Sequence, residues 1–243
     1  MGARVYAVAA SVVADALRRK VVYVVLLFAG VMTAAIPLLP SYGVGVVTGV
    51  YREVSLALAY AAGIAVVLAL SANRIPGEVE RRTVYNVLAR SVRRWEYVLG
   101  TWLGIALTML GVFAAFGVVL FALGLVIYGE PMWLLWQGIL AIWLEAAVIA
   151  AFAVAVSSVS GPVVVATASL VFLMIAHARA GLFGPQDLGW KLYPSLDTFN
   201  IISPVAHGSG VSAVYLLTMV AVGAAWVAAL LLLGSLGFER RDL

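Results

Sequence analysis

Glu145 is a carboxylate in the middle of an apolar run, Met132 to Val156. At that depth in lipid a charge costs roughly 2.5–3.5 kcal/mol, so the group has to face protein or water. Two roles are open to it. It can make a hydrogen bond between helices, or it can touch cargo or a gate in a translocation path. A second kind of chemistry sits between residues 77 and 104, GEVERRTVYNVLARSVRRWEYVLGTWLG. Six of the fifteen basic residues fall here or just before it: Arg74, Arg81, Arg82, Arg90, Arg93 and Arg94. Ile75 and Pro76 end the preceding apolar run, and Gly77 is expected to turn the chain. From Glu78 a short helix is expected, with Glu78 and Glu80 near its start, where acids suit the helix dipole. Val84, Val87 and Leu88 recur at helical spacing and form an apolar stripe on an otherwise polar helix. A loop that only joins two spans needs positive charge. It does not need a stripe, which suits docking into a groove of another protein.

The rest of the chain must hold these groups in place. It is 65% hydrophobic and 11% charged, where soluble domains carry about 25% charged residues. That much apolar surface cannot be hidden in one wetted globule, so lipid is the expected solvent. There is no cysteine. Disulfides, zinc–thiolate sites and cysteine nucleophiles are therefore excluded. The net charge of +4 is read as a matter of membrane orientation, with no nucleic acid implied.

Six apolar segments approach the roughly 20 residues that a spanning helix needs. They run over 21–39, 54–72, 97–128, 132–156, 162–176 and 213–237. The fold class is thus an all-α polytopic membrane protein with six transmembrane helices. Twelve of the fifteen basic residues then fall on one side, leaving Arg52, Arg179 and Lys191 on the other. The bias predicts a multi-pass protein of the cell membrane with both termini cytoplasmic.

Residues 2–20 read as an amphipathic helix on the inner leaflet, with Val5, Val8, Val12 and Ala16 on one face. Gly100, Gly104, Gly111 and Gly117 form a small-residue face that allows close helix approach. Residues 177–212 carry three prolines and scattered aromatics, and read as short helices and turns at the outer interface. Within them Asp197, Asn200 and Pro204 suit turns and caps, or the lining of an exit.

The interrupting segment resembles the cytoplasmic coupling segment of permeases of type-2 ATP-binding-cassette (ABC) transporters. The likeness is greatest to the subgroup that includes the permease for nitrous oxide reductase maturation. It rests on Glu78, Glu80, Arg81-Arg82-Thr83, the helix Val84 to Ala89, Arg90, Arg93 to Tyr97 and Leu99-Gly100. Ser91 stands where that subgroup usually has proline, and Thr101 where it usually has lysine. The ending GFERRDL, Gly237 to Leu243, and the layout of the whole chain are also similar.

The resemblance implies a permease, and an exporter by family expectation, that binds no cofactor itself. A separate ABC ATPase subunit would hold ATP and Mg. Consistently, the chain has no GxxxxGK[ST] loop, and its only lysines are Lys20 and Lys191. The ATPase would push on a coupling helix made by Glu78, Glu80, Arg81, Arg82, Thr83, Val84, Tyr85, Asn86, Val87 and Leu88. A second permease chain, identical or different, would complete the pathway. The copper cargo of that subgroup would make His177 and His207 candidate metal ligands with Met174. The reading of both as plain loop residues stands beside it.

Three other classes are compatible with such a composition. An ion-coupled secondary transporter would show repeats and several polar residues at mid-membrane. A membrane scaffold or receptor would need no motor. An intramembrane enzyme would need companions for Glu145, and the spans as drawn provide no His, Asp or Lys.

Overall fold

A segment that is apolar on every side can satisfy its backbone in lipid only by bonding to itself, and the helix is how it does so. The computed structural model describes residues 2–18, 21–35, 44–80 and 92–239, and among them there is no strand. The helices are α1 (Gly2–Arg18), α2 (Val21–Ala35), α3 (Val44–Ala72), α4 (Arg74–Glu80), α5 (Arg94–Tyr128), α6 (Leu135–Ser157) and α7 (Pro162–Leu182). After α7 come the short α8 (Leu188–Leu192), a 3-10 turn η1 (Leu196–Phe199), the short α9 (Ile202–Ala206) and the long α10 (Ala213–Glu239).

Among the described residues five stretches are long and apolar enough to cross a membrane: Val46–Glu80, Arg94–Tyr128, Leu135–Ser157, Pro162–Leu182 and Ala213–Glu239. The protein is thus an all-helical membrane protein. Of the expected first span, 21–39, the described part is the shorter α2, and residues 36–39 lie outside the described residues. The heart of the expected coupling helix, Arg81, Arg82, Thr83, Val84, Tyr85, Asn86, Val87 and Leu88, also lies outside the described residues.

α6 is the hub. It packs against α3, α5, α7 and α10, and 72% of its apolar window is buried, against 22–44% for the other four. A reciprocal clasp joins it to α5. The Trp102 indole donates to the Ala147 carbonyl (3.0 Å), and Trp143 donates back to the Ala106 carbonyl (3.0 Å). At the far end of α5, Gly129 takes a left-handed φ of 71° and its N–H bonds Leu125 O at 3.0 Å. Glycine pays no Cβ penalty in that conformation, so the helix stops there.

α1 spends its apolar stripe on α5. Val8, Ala9, Val12 and Ala16 are buried. A Cβ on Gly104 would lie 2.5 Å from the Val12 Cβ and 2.8 Å from the Ala9 carbonyl oxygen, and one on Gly100 would lie 2.7 Å from the Val8 Cβ. Gly117 likewise makes room for the Trp136 ring. Gly111 departs from the expectation. Nothing lies within 4 Å of where its Cβ would be, because it faces a cavity of about 350 Å³ bounded by Val13, Leu17, Val25 and Leu107.

Three boundaries differ from those expected. The second span begins at Val44, ten residues before Val54, with Arg52 and Glu53 inside the helix. Arg52 is tolerated there because its guanidinium lies beside Gly208, at the end of the bundle where the helix starts. The turn expected at Pro76-Gly77 is helix, and Gly77 N–H bonds Asn73 O at 3.2 Å. Pro76 falls in the first turn of α4, where its missing N–H costs nothing. Glu78 and Glu80 therefore stand at the end of α4 as described, not near its start. The fifth helix continues to Leu182 beyond the expected Ala176. Arg179 near its end is held in place: the Nη1 donates to Tyr193 O at 3.0 Å, and the guanidinium lies 4.2 Å over the Trp190 ring.

The segment between α7 and α10 is anchored in the bundle. Leu196, Phe199, Ile201 and Val205 are all buried. Gln137 of α6 clamps Val211 from both sides, accepting from its N–H (2.9 Å) and donating to its carbonyl (3.4 Å).

Candidate functional site

α3, α6 and α7 enclose a cavity of about 400 Å³ whose roof is η1 and the start of α9. Its lining is mostly apolar: Ala57, Ile142, Leu173, Met174, Phe199 and Ile202. The polar members are Tyr60, Glu145, His177 and Asn200. Pockets of this size and character take small molecules, with a few polar groups setting orientation.

Glu145 is 2% exposed. Tyr60 donates its hydroxyl proton to the Glu145 Oε1 at 2.8 Å. The Nε2 of His177 stands 3.5 Å from the same oxygen. His177 Nδ1 lies 3.1 Å from the Leu173 carbonyl oxygen, and a carbonyl can only accept, so Nδ1 carries hydrogen. The Tyr60 and His177 rings meet edge to face, with centroids 6.2 Å apart. Asp197 of η1 is close enough to act on both Glu145 and Tyr60 electrostatically.

The expectation that Glu145 has no histidine companion in the spans is therefore corrected. Hydropathy ends the fifth span at Ala176 and so leaves His177 in the connecting segment. One more helical turn places it inside the bundle. Tyr60 was not singled out at all. Its depth relative to Glu145 depends on where α3 begins, and local hydropathy placed that start too late. His207 is not part of the cavity lining. Its Nδ1 lies 2.8 Å from Ser203 O of its own helix. Among the described residues no group of three His, Cys, Asp or Glu could hold a metal ion.

A second cluster is built on described residues that flank 81–91 in sequence. Tyr97 donates its hydroxyl to the Glu78 Oε2 at 2.6 Å. Arg74 bridges Asp15 of α1 and Glu78, at 2.8 Å to each. Glu96 accepts the Arg93 N–H at 2.9 Å, closing the first turn of α5, and has the Arg4 Nη1 3.8 Å away. The Arg94 Nη1 donates to the carbonyls of Phe238 and Glu239 at 2.9 and 2.8 Å. Four elements, α1, α4, α5 and the end of α10, are thereby tied together at one end of the bundle. Of the expected docking residues, Glu78 alone is seen in this frame. Glu80 ends α4 and is exposed.

No known protein-family model matches the chain, and no curated protein sequence matches it.

Proposed function

We propose that this chain is the permease subunit of an ATP-driven ABC transporter, built to work with a separate nucleotide-binding subunit and a second permease chain. The observation that carries the reading is the frame around residues 81–91. Glu78 and Tyr97 flank that stretch in sequence and bond to each other, so the described residues on its two sides are tied to one another. A push on a segment anchored in this way reaches α3 through α4, and reaches α5 directly. A loop pinned at neither end would absorb the same push. A ligand or motor shifts conformations only through contacts that differ between states, and a stiff link is what delivers them. Export is the direction the resemblance implies, with both termini cytoplasmic, and the cavity at Glu145 is the assigned position on the path.

The test is co-purification from native membranes. A nucleotide-binding subunit is expected to accompany the intact chain. Val84→Asp combined with Leu88→Asp should release it and uncouple ATP hydrolysis from transport. If no ATPase co-purifies, and the double variant transports normally, the reading fails.

The Glu145–His177 contact favours a second reading, an ion-coupled secondary transporter. Uptake or efflux in vesicles that follows an imposed proton gradient and ignores ATP would select it.

A further inference from the structure

The Glu145 carboxylate and the His177 imidazole face each other at 3.5 Å, close enough for one proton to pass between them. Because Nδ1 of His177 already carries a hydrogen, the line from Nε2 to the Glu145 Oε1 needs a second one to be attractive. That proton sits on either side: as an imidazolium facing a carboxylate, or as a carboxylic acid facing a neutral ring. Without it a lone pair would face a lone pair at 3.5 Å. The pair as a whole is neutral with the proton present and carries one negative charge when it leaves.

The surroundings decide what can take the proton's place. Asp197 of η1 adds negative potential to Glu145. Tyr60 of α3 and His177 of α7 are the other titratable groups of the lining. α4, α5, α9 and α10, which also pack on α6, contribute none. Among the described residues no lysine or arginine lines the cavity. An incoming positive charge therefore meets the Glu145 carboxylate, with Asp197 acting on it from η1, beside the aromatic residues Tyr60 and Phe199, and aromatic rings favour cations. The remaining walls are aliphatic. A nitrogen placed about 2.8–2.9 Å from both Nε2 and Oε1 closes a triangle on the 3.5 Å base. To hold it there, the guest must offer an N–H to each.

We infer that the Tyr60–Glu145–His177 cavity binds a protonated primary amine carrying an apolar body, and that the ammonium displaces the proton shared by Glu145 and His177. The balance is simple. The guest enters as R–NH3+, donates one N–H to the imidazole and one to the carboxylate, and one proton goes to solvent. No covalent bond is made or broken. The mouth of the cavity lies between α3 and α7, where Ala57 and Met174 are exposed, so an apolar tail can trail toward lipid or toward a second chain. The inference concerns this chain alone and does not need a motor, so it stands or falls separately from the ABC reading.

The test is calorimetric titration of the purified full chain in detergent with phenylbutylammonium, set against phenylbutyltrimethylammonium and phenylpentanoate. Repeating it in buffers of different ionisation enthalpy counts the protons released. The primary amine is expected to bind with release of about one proton. The trimethyl compound, which has no N–H, and the carboxylate are each expected to bind about tenfold to a hundredfold more weakly. Glu145→Gln keeps an oxygen to accept from Tyr60, so the bundle should stay folded by melting temperature and elution volume while amine binding and proton release are lost. Ala57→Phe fills the cavity from α3 without touching the pair and should also abolish binding. The inference is overturned if the wild-type chain does not bind the amine, if the carboxylate or the trimethyl compound binds equally well, if no proton is released, or if Glu145→Gln binds as wild type does.

Discussion

Tyr97 and Glu78 are joined by a 2.6 Å hydrogen bond across nineteen positions of sequence. The two residues stand on α5 and α4, on either side of the segment 81–91. Glu78 also holds Arg74, which holds Asp15 of α1. The bond closes a ring of polar contacts at the end of a bundle whose other contacts are mostly apolar.

Tyr97→Phe removes that bond and little else, since the ring still stacks on Phe238 with centroids 5.7 Å apart. A hydrogen bond to a charged acceptor is worth about 1.5–3 kcal/mol. Glu78 is 21% exposed at its side chain and keeps Arg74, so a loss of about 1 kcal/mol is expected. The melting temperature in detergent should fall modestly. If the chain is the permease proposed above and the ring transmits force, transport driven by its ATPase partner should fall more than stability does, and a proportional fall would assign the bond a purely structural role.

Arg74→Gln should cost more than Asp15→Asn. The arginine side chain is 12% exposed and serves two carboxylates, whereas Asp15 is 38% exposed at its side chain. Removing the shared cation leaves two acids facing each other, and removing one acid leaves the other pair intact. Thermal unfolding of the two variants side by side reads the difference. Equal melting temperatures would contradict the bridging geometry.

Gly104→Val and Gly111→Ala form a contrasting pair. The first drives a side chain into Val12 and the Ala9 carbonyl and should lift α1 from α5. Amide exchange over residues 8–16 should then accelerate. The second places a methyl into open space and replaces a mid-helix glycine, a change worth about 1 kcal/mol in favour of the variant. Slowed exchange in the first variant, or destabilisation in the second, would mean that α1 sits elsewhere.

Trp102→Phe and Trp143→Phe each remove one indole donor from the α5–α6 clasp. Each should cost about 1 kcal/mol, because a buried carbonyl loses a partner beyond its helical bond. The two bonds use different donors and acceptors, so the double variant should show close to the sum. Strong non-additivity in unfolding measurements would show that one bond depends on the other.

Phe199→Ala takes away the roof of the cavity at Glu145. The ring is 2% exposed, and deletions of this kind cost about 3–5 kcal/mol in a core that cannot collapse. η1 should loosen while the long helices persist. Exchange at residues 196–201 should rise, with helical content by circular dichroism almost unchanged. A global loss of helix would show that η1 holds the whole bundle and is not just a cover.

Composition and hydropathy alone already pointed to an all-helical protein with lipid as its solvent, since unbroken apolar runs of about 20 residues have the length of a spanning helix and satisfy their backbones that way. The same reading found the amphipathic α1, the glycines under it at positions 100 and 104, and Glu145 as the group in need of a partner. These features are local: each depends on residues a few positions apart on one helix. Who answers Glu145 is not local. Tyr60 lies 85 positions away and His177 lies 32 positions away, and hydropathy had placed the starts and stops of their helices several residues off. An error of one turn is about 5.4 Å along a helix, enough to move a side chain from mid-bundle to loop. The depth at which three helices align is set by packing around α6, through Gly–side-chain contacts, indole clasps and the anchoring of Phe199. The partners of the buried acid therefore became visible only once the helices were packed together.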